Sequence, residues 1–278
     1  MSSSFAEYVA ELRALREGSG RHGLDNLVAL RRAVSTNRLA REIALDYESE
    51  GLELCPLLIV AWEQSGGRGR QARSWSSPPG RGVYATLLLP FADPRALQSL
   101  PLLVGVGLCR ALAPHLPRRC RLKWPNDLLA EGEAGSVADP EGPRRRKLGG
   151  VLIETLVRPG EPSVAIVGFG VNRSHAGDEL PPGATSLERE GGGRASLARL
   201  TWELAGGVMR ELEHAGDTAY AVDAYRASSI HHPGERISFR VGDEVVDGVF
   251  LGFDEHGLLR LASAGRELAF SAGEVIEP

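Results

Sequence analysis

Cysteine is scarce in this chain. There are three, Cys55, Cys109 and Cys120, with no C-x-x-C among them. Such an odd, dispersed set supplies neither a disulfide framework nor a zinc site, and it suits a reducing compartment. Long hydrophobic runs are also lacking: the longest, Leu102–Leu108, is interrupted by glycine, so no segment is expected to reach the length of a membrane span. No charge sign dominates. The formal net charge of −4 argues against a general nucleic-acid or anionic-membrane binder. The first residues include early acids and lack the basic-then-apolar pattern of a signal peptide. These absences lead to the expectation of a cytoplasmic protein with neither nucleic acid nor membrane as partner. What remains is ordinary: 42% hydrophobic and 24% charged over 278 residues. That is enough for a sizeable core in one large domain plus a small one.

Against this background one stretch stands out. Trp62–Trp75 reads W-E-Q-S-G-G-R-G-R-Q-A-R-S-W, directly after the apolar run Leu57–Ala61. Gly66, Gly67 and Gly69 let backbone approach a ligand closely. Arg68, Arg70 and Arg73 add permanent charge with a donor fork that matches carboxylate or phosphate. Gln64 both donates and accepts. The combination suits a small molecule bearing an acid and a phosphate.

The remaining pattern alternates strands and helices. Phe5–Arg16 has helical spacing and ends at Gly18-Ser19-Gly20; it reads as a docking or capping helix, with a partner-binding arm as the alternative. Leu27–Val34 reads as a strand. Ser35-Thr36-Asn37 then precedes a helix over Arg38–Leu45, and these three side chains suit either an N-cap or a pocket wall. Strands are expected at Cys55–Ala61 and Val83–Leu89, and a buried small-residue helix at Leu97–Ala113 ends at Pro114 and Pro117. Arg121–Leu129 carries K-W-P-N-D, Lys123–Asp127, where a strand should bend at Pro125 and present Lys123, Asn126 and Asp127. Ala130–Arg146 has no apolar period and reads as a mobile insertion. Lys147–Leu156 and Val164–Val171 are expected to pair as a hairpin across Arg158–Glu161. Ala184–Leu187 reads as near a helix start, and Leu197–His214 and Thr218–Arg226 as helices. From Glu235 short alternating strands at Arg236–Val241, Glu244–Phe253, Gly257–Ala262 and Glu267–Ala269 form a small β-module.

Five motifs in order carry a family resemblance: Ser35-Thr36-Asn37, Gly67–Arg70 with Arg73 and Trp75, Lys123–Asp127, Lys147–Gly150, and the G-x-G-x-N of Gly168–Asn172. Together they resemble the biotin–protein ligases over roughly Leu27 to Val275. The resemblance implies an α+β fold: a class II synthetase-like catalytic domain with a mixed, largely antiparallel sheet, plus a small SH3-like β-barrel. It divides the chain into an N-terminal helical extension at 1–26, a catalytic domain at 27–232 and the barrel at 233–278. It implies ATP, biotin and Mg2+, a biotinyl-5′-AMP intermediate, and transfer to a lysine of a biotin carboxyl carrier protein. A homodimer is possible. By the same resemblance Lys147, Arg70, Arg68 and Asp127 are catalytic. Ser35, Thr36, Asn37, Gln64, Gly67, Arg68, Lys147, Gly149 and Gly150 hold biotin. Arg70, Arg73, Trp75, Asn126, Lys147 and Asn172 hold nucleotide, and no protein metal ligand is assigned.

Two departures stand out. Gln71 and Ala72 replace the arginine and glycine usual in R-R-G-R, and Ala130–Arg146 is longer than the family connection. Only 34 residues precede Ser35, and they lack a helix-turn-helix pattern, so no DNA-binding domain is expected. A lipoate–protein ligase and a non-catalytic sensor are the rival readings. The G-R-G-R and K-W-P-N-D motifs favour biotin over lipoate, and Lys147 with the missing DNA-binding domain disfavours a sensor.

Overall fold

The computed structural model describes residues 4–18, 22–132, 144–157, 162–175 and 179–276. Seven strands form the main sheet: β1 (Asn26–Ala33), β2 (Leu57–Gln64), β3 (Gly82–Phe91), β4 (Arg119–Lys123), β5 (Asp127–Glu131), β6 (Arg145–Leu156) and β7 (Ser163–Asn172). Their order is β1-β2-β3-β7-β6-β5-β4. β3 and β7, the most continuously apolar, lie at the middle and are covered on both faces, as unbroken apolar strands require. Among the described residues, β1 and β2 are the one parallel pair of strands in this sheet. A parallel pair needs a crossover, and helix α2 (Thr36–Ser49) supplies it.

α2 covers one face, with Ala40 and Ala44 packed on Ile59, Leu88, Val164 and Ile166. The other face carries α1 (Phe5–Gly18), α3 (Ala96–Leu112), α4 (Leu197–Glu211) and α5 (Thr218–Ser228). The glycines of α3 mark its crossing with α4: a Cβ on Gly107 would lie 2.7 Å from the carbonyl of Gly207. The helical stretch Ala96–His115 is long and apolar enough to cross a membrane by length and composition, contrary to expectation, but it is mostly buried inside the protein. α1 docks on α4 and on β2, where Tyr8 and Phe5 meet Trp62 at ring-centroid distances of 5.4 and 6.3 Å.

The C-terminal module consists of β8 (Arg236–Val241), β9 (Glu244–Phe253), β10 (Leu259–Ser263), β11 (Arg266–Phe270) and β12 (Glu274–Ile276). Its sheet, ordered β11-β10-β9-β8-β12, is antiparallel throughout. The end strands do not pair with each other among the described residues, so the expected barrel is a five-stranded sheet here. Aromatic contacts fix it to the main body: Trp124 with Phe239 at 5.6 Å and Tyr225 with Phe253 at 5.3 Å.

Several local expectations are corrected. β2 continues through Trp62-Glu63-Gln64, because Trp62 is itself buried in the core. Arg121–Leu129 is a tight reversal between two paired strands, with Lys123 opposite Asp127 and a cis Trp124–Pro125 peptide. Both ends of the expected insertion are ladder: Ala130-Glu131 belong to β5, and Arg145 and Arg146 to β6, where Arg121 and Arg145 share Glu131. Residues 133–143 lie outside the described residues, as do Ser19, Gly20 and residues 158–161, where the hairpin connection is expected. Ala184–Leu187 starts no helix; it runs beside β6, bridged through Lys147 and Ala184. β12 is a strand that the alternation did not announce.

Candidate functional site

A cavity of ≈ 410 Å³ opens on the α2 face of the main sheet. Its floor follows from side-chain alternation in β7. Ala165, Val167, Phe169 and Val171 belong to the helix-side core. Val164 and Ile166 point the other way under α2. Gly168 and Gly170 continue that second row and leave it bare. The space above them is filled by side chains from elsewhere: a Cβ on Gly168 would come 2.0 Å from Asn37 Oδ1, and one on Gly170 would come 2.6 Å from Trp75 Nε1.

One end of the cavity is a network of amides and hydroxyls, backed by the Glu154 carboxylate. Gln64 Oε1 accepts from the Thr36 backbone N–H at 2.8 Å and from Thr36 Oγ1 at 3.2 Å, and Gln64 Nε2 donates to Ser77 Oγ at 3.0 Å. Gln64 therefore caps α2 from the neighbouring strand. Ser35 occupies the N-cap position but makes no side-chain cap bond, and it lines the cavity without that duty. Asn37 is almost fully engaged: Nδ2 donates to Leu152 O and Glu154 Oε2, and Oδ1 accepts from the buried Thr86 hydroxyl at 2.7 Å. Asn37 shapes the wall more than it offers bonds to a ligand.

The other end is charged. Lys147 Nζ lies 2.6 Å from Asp127 Oδ1 and 5.8 Å from the centroid of the Trp75 ring. Asn126 donates to Val151 O at 2.9 Å, and Asn172 donates to Thr185 O at 3.0 Å. Each carboxamide oxygen remains a possible acceptor or ligand. Arg70 is half-buried, its Nη1 at 3.5 Å from Asn126 Oδ1 and 3.4 Å from Gly273 O. Burial holds its guanidinium below the ordinary range, against the pull of Asp127 and Glu274. The Trp75 indole N–H is buried without a partner among the described residues.

The arginine-bearing loop closes this end. Gly69 N–H bonds Arg73 O and Trp75 N–H bonds Gly67 O, making a narrow excursion. At its tip Gln71 and Ala72 both take left-handed backbone, φ +53° and +56°. Arg73 reaches the C-terminal module, with Nη1 and Nη2 at 2.9 and 2.5 Å from the two Glu274 oxygens. The Arg73 guanidinium in turn pulls the Glu274 carboxyl below its usual range.

Of the residues expected at the site, all but Gly67 and Gly149 line the cavity. Those two are packing positions: a Cβ would lie 2.4 Å from Trp75 O at Gly67, and 2.6 Å from Gly170 O at Gly149. Sequence reasoning missed Gly273 and Glu274, because β12 is too short to show alternation. It also missed Thr86, although a lone hydroxyl inside the apolar run Val83–Leu89 is a usable signal, since a buried polar group needs a partner. Among the described residues no group of three or more His, Cys, Asp or Glu could hold a metal. The cavity does present the Asp127 carboxylate and the Asn126 carboxamide. That sparse oxygen set suits Mg2+, which is commonly held by one or two protein oxygens plus substrate phosphates.

Comparison with known proteins adds to this geometry. Residues 31–172 match the model of the biotin/lipoate A/B protein ligase family, and residues 232–276 match that of the biotin protein ligase C-terminal domain. The chain is 30% identical to a biotin–[acetyl-CoA-carboxylase] ligase of Mycobacterium tuberculosis over 95% of its own length and 94% of the relative's. It is 32% identical to one of Paracoccus denitrificans, covering 82% and 95%. Among solved structures, the biotin protein ligase from Aquifex aeolicus in complex with biotin and ATP aligns with a TM-score of 0.68 at 23% identity, over 91% of this chain and 98% of that one. This last likeness concerns the fold.

Proposed function

The chain belongs to the biotin/lipoate A/B protein ligase family, and we propose how its cavity performs the ATP-dependent ligation of biotin to a carboxylase carrier subunit. Its C-terminal match is specific to biotin protein ligases, which favours biotin over lipoate. The reading takes 27–232 as the catalytic domain and 233–278 as the C-terminal domain, after an extension at 1–26.

Two steps are required. A biotin carboxylate oxygen attacks the α-phosphorus of ATP; the bond to the bridging oxygen breaks and pyrophosphate leaves. The amine of the carrier lysine then attacks the acyl carbon of the mixed anhydride, and AMP leaves with the bonding pair.

The amide and hydroxyl end of the cavity suits the ureido ring, with Ser35 oriented by the Gln64-capped start of α2 and Asn37 as a fixed wall. The charged end receives the two anions. Lys147 and Arg70 place positive charge where negative charge gathers at the α-phosphate, and Arg68 adds to it from the exposed loop. Such preorganised groups are commonly worth on the order of a hundredfold or more in rate. Asp127 orients the Lys147 ammonium in the free enzyme and accepts a proton from the incoming lysine in the second step. Arg73, Trp75, Asn126 and Asn172 frame the nucleotide. Asn126 and Asp127 supply the protein oxygens that would hold Mg2+, which when bound would offset phosphate charge. The acceptor is taken to be the lysine of a biotin carboxyl carrier domain.

The observation that carries this reading is the Lys147–Asp127 pair beside Arg70 in one cavity with the Thr36–Gln64–Ser77 network. Single-turnover formation of adenylate from α-labelled ATP, with biotin or lipoate, tests it. Biotin-dependent product that falls at least about a hundredfold in Lys147→Ala and Arg70→Ala is expected. Activation of lipoate alone, or undiminished product in both variants, overturns the assignment.

A further inference from the structure

The strap 183–187 is clamped to two cavity residues. Lys147 N–H donates to Gly183 O at 2.9 Å, and Thr185 N–H donates to Lys147 O at 2.8 Å. The Asn172 side chain donates to Thr185 O at 3.0 Å, and Leu187 N–H donates to Asn172 O at 3.0 Å. Ala184 within the strap lines the cavity itself.

Behind the strap sits an acid that no catalytic step uses. The Glu190 side chain is 1% exposed. Its Oε1 accepts from Thr185 Oγ1 at 2.5 Å, and its Oε2 meets Arg118 Nε at 3.1 Å and Arg146 Nη2 at 3.0 Å. Arg146 immediately precedes Lys147 in β6, whereas Arg118 enters from the segment before β4. A carboxylate removed from water is tolerable only with such partners. Here the partners are the neighbours of both Lys147 and Asn172. Glu190 therefore ties the strap, β6 and the segment before β4 together at one point, next to Lys147 in sequence through Arg146.

We propose that Glu190, acting through Thr185, is a positioning residue for Lys147 and Asn172. It fixes the strap, and the strap sets the backbone at Lys147 and the direction of the Asn172 carboxamide. This rests on the assignment of Lys147 to adenylate formation. A strap displaced by about 1 Å moves the ammonium off the reacting phosphate, and misplacement on that scale can cost a hundredfold.

The test uses the full-length protein with Thr185→Val, Thr185→Ser and Lys147→Ala. Valine keeps the shape and removes the donor to Glu190; serine keeps the donor. Single-turnover adenylate formation is measured with KM for biotin and ATP and with thermal unfolding. Thr185→Val is expected to lose at least about tenfold in rate at saturating substrates, with KM for ATP within about threefold, and Thr185→Ser to remain within about twofold of wild type. If Thr185→Val fails to fold, Thr185→Ala replaces it with the same expectation. A rate within about twofold in the Val or Ala variant, while Lys147→Ala is inactive, overturns the positioning role alone. An active Lys147→Ala overturns the underlying assignment. A loss in Thr185→Val matched by an equal loss in Thr185→Ser overturns the hydrogen-bond basis.

Discussion

The cavity has two walls built on opposite principles. The floor is sheet: Gly168 and Gly170 lie in a ladder paired on both sides, and Asn37, Thr86 and Gln64 are locked over it by short buried hydrogen bonds. The arginine loop opposite is closed by a single β-bridge, Arg68 with Ser74, among the described residues. Its tip carries two non-glycine residues in left-handed backbone, and its outermost arginine is held by another module through Glu274. Such a division suits a site that must grip an inert ring yet admit ATP and later a carrier. A fixed floor gives specificity at little ordering cost, while a wall held by few contacts can open.

Filling the floor breaks the comparison most sharply. Gly168→Ala puts a methyl at 2.0 Å from Asn37 Oδ1, so Asn37 must leave Thr86, Leu152 and Glu154. A loss of about 3 kcal/mol in unfolding free energy is expected, with a raised KM for biotin and a smaller change for ATP. Equal effects on both substrates would count against a biotin-side floor.

Acid should loosen the module before the floor. His231 sits at the seam, its Nε2 accepting from Trp124 N–H at 3.2 Å and its ring edge-on to Phe250. Burial first, then the charges of Lys123 and Arg145, push its pKa down to about 4 from 6.5. The native state therefore resists a proton that the unfolded chain accepts. Stability is full above about pH 6.5, falls as pH drops toward 4, and levels below it. The whole shift amounts to roughly 3 kcal/mol. Denaturant melts of wild type and His231→Gln at pH 7 and 4.5 measure it. The variant should show a clearly flatter dependence over that interval.

How far the sequence announced each wall follows from the same contrast. Unbroken apolar runs gave β3 and β7, and the G-x-G-x-N spacing marked the glycines of β7, because alternation writes a floor directly into the chain. Contacts between distant segments leave no such period. Neither the Arg73–Glu274 link nor the capping of α2 by Gln64 has a local signature, since each joins elements whose neighbourhood is decided by packing. The K-W-P-N-D segment was recognised as a site, but a tight hairpin and a bent strand share the same proline signal. The 184–187 strap has the hydroxyl-rich start of a helix and is drawn instead into pairing with Lys147.

Releasing the loop from the module has a smaller effect than filling the floor. Arg73 is exposed and Glu274 partly so, so the pair contributes at most about 1 kcal/mol to stability. Its removal by Glu274→Gln should leave the melting temperature within a few degrees of wild type. The expected signature is kinetic: adenylate leaks from the site several-fold faster while KM for biotin holds. An unchanged dissociation rate for adenylate would mean that the loop closes without the module.

The finest probe is Ala72. Its φ of +56° places an alanine where Cβ crowds the backbone, at a cost of about 1 kcal/mol. Ala72→Gly removes that cost but adds comparable freedom to the unfolded chain, about 0.5–1 kcal/mol. Stability should therefore barely move, while the loop becomes free to leave the left-handed region; a modest, about two- to threefold, shortening of adenylate retention is expected if about half the strain is returned as flexibility. Ala72→Val acts in the opposite sense on geometry, because a branched side chain is excluded from this region. It should push the tip out of its present path and shorten retention further than glycine does. If valine retains adenylate as well as alanine, the left-handed tip is not part of the closed wall, and the contrast with the glycine floor rests on the Glu274 contact alone.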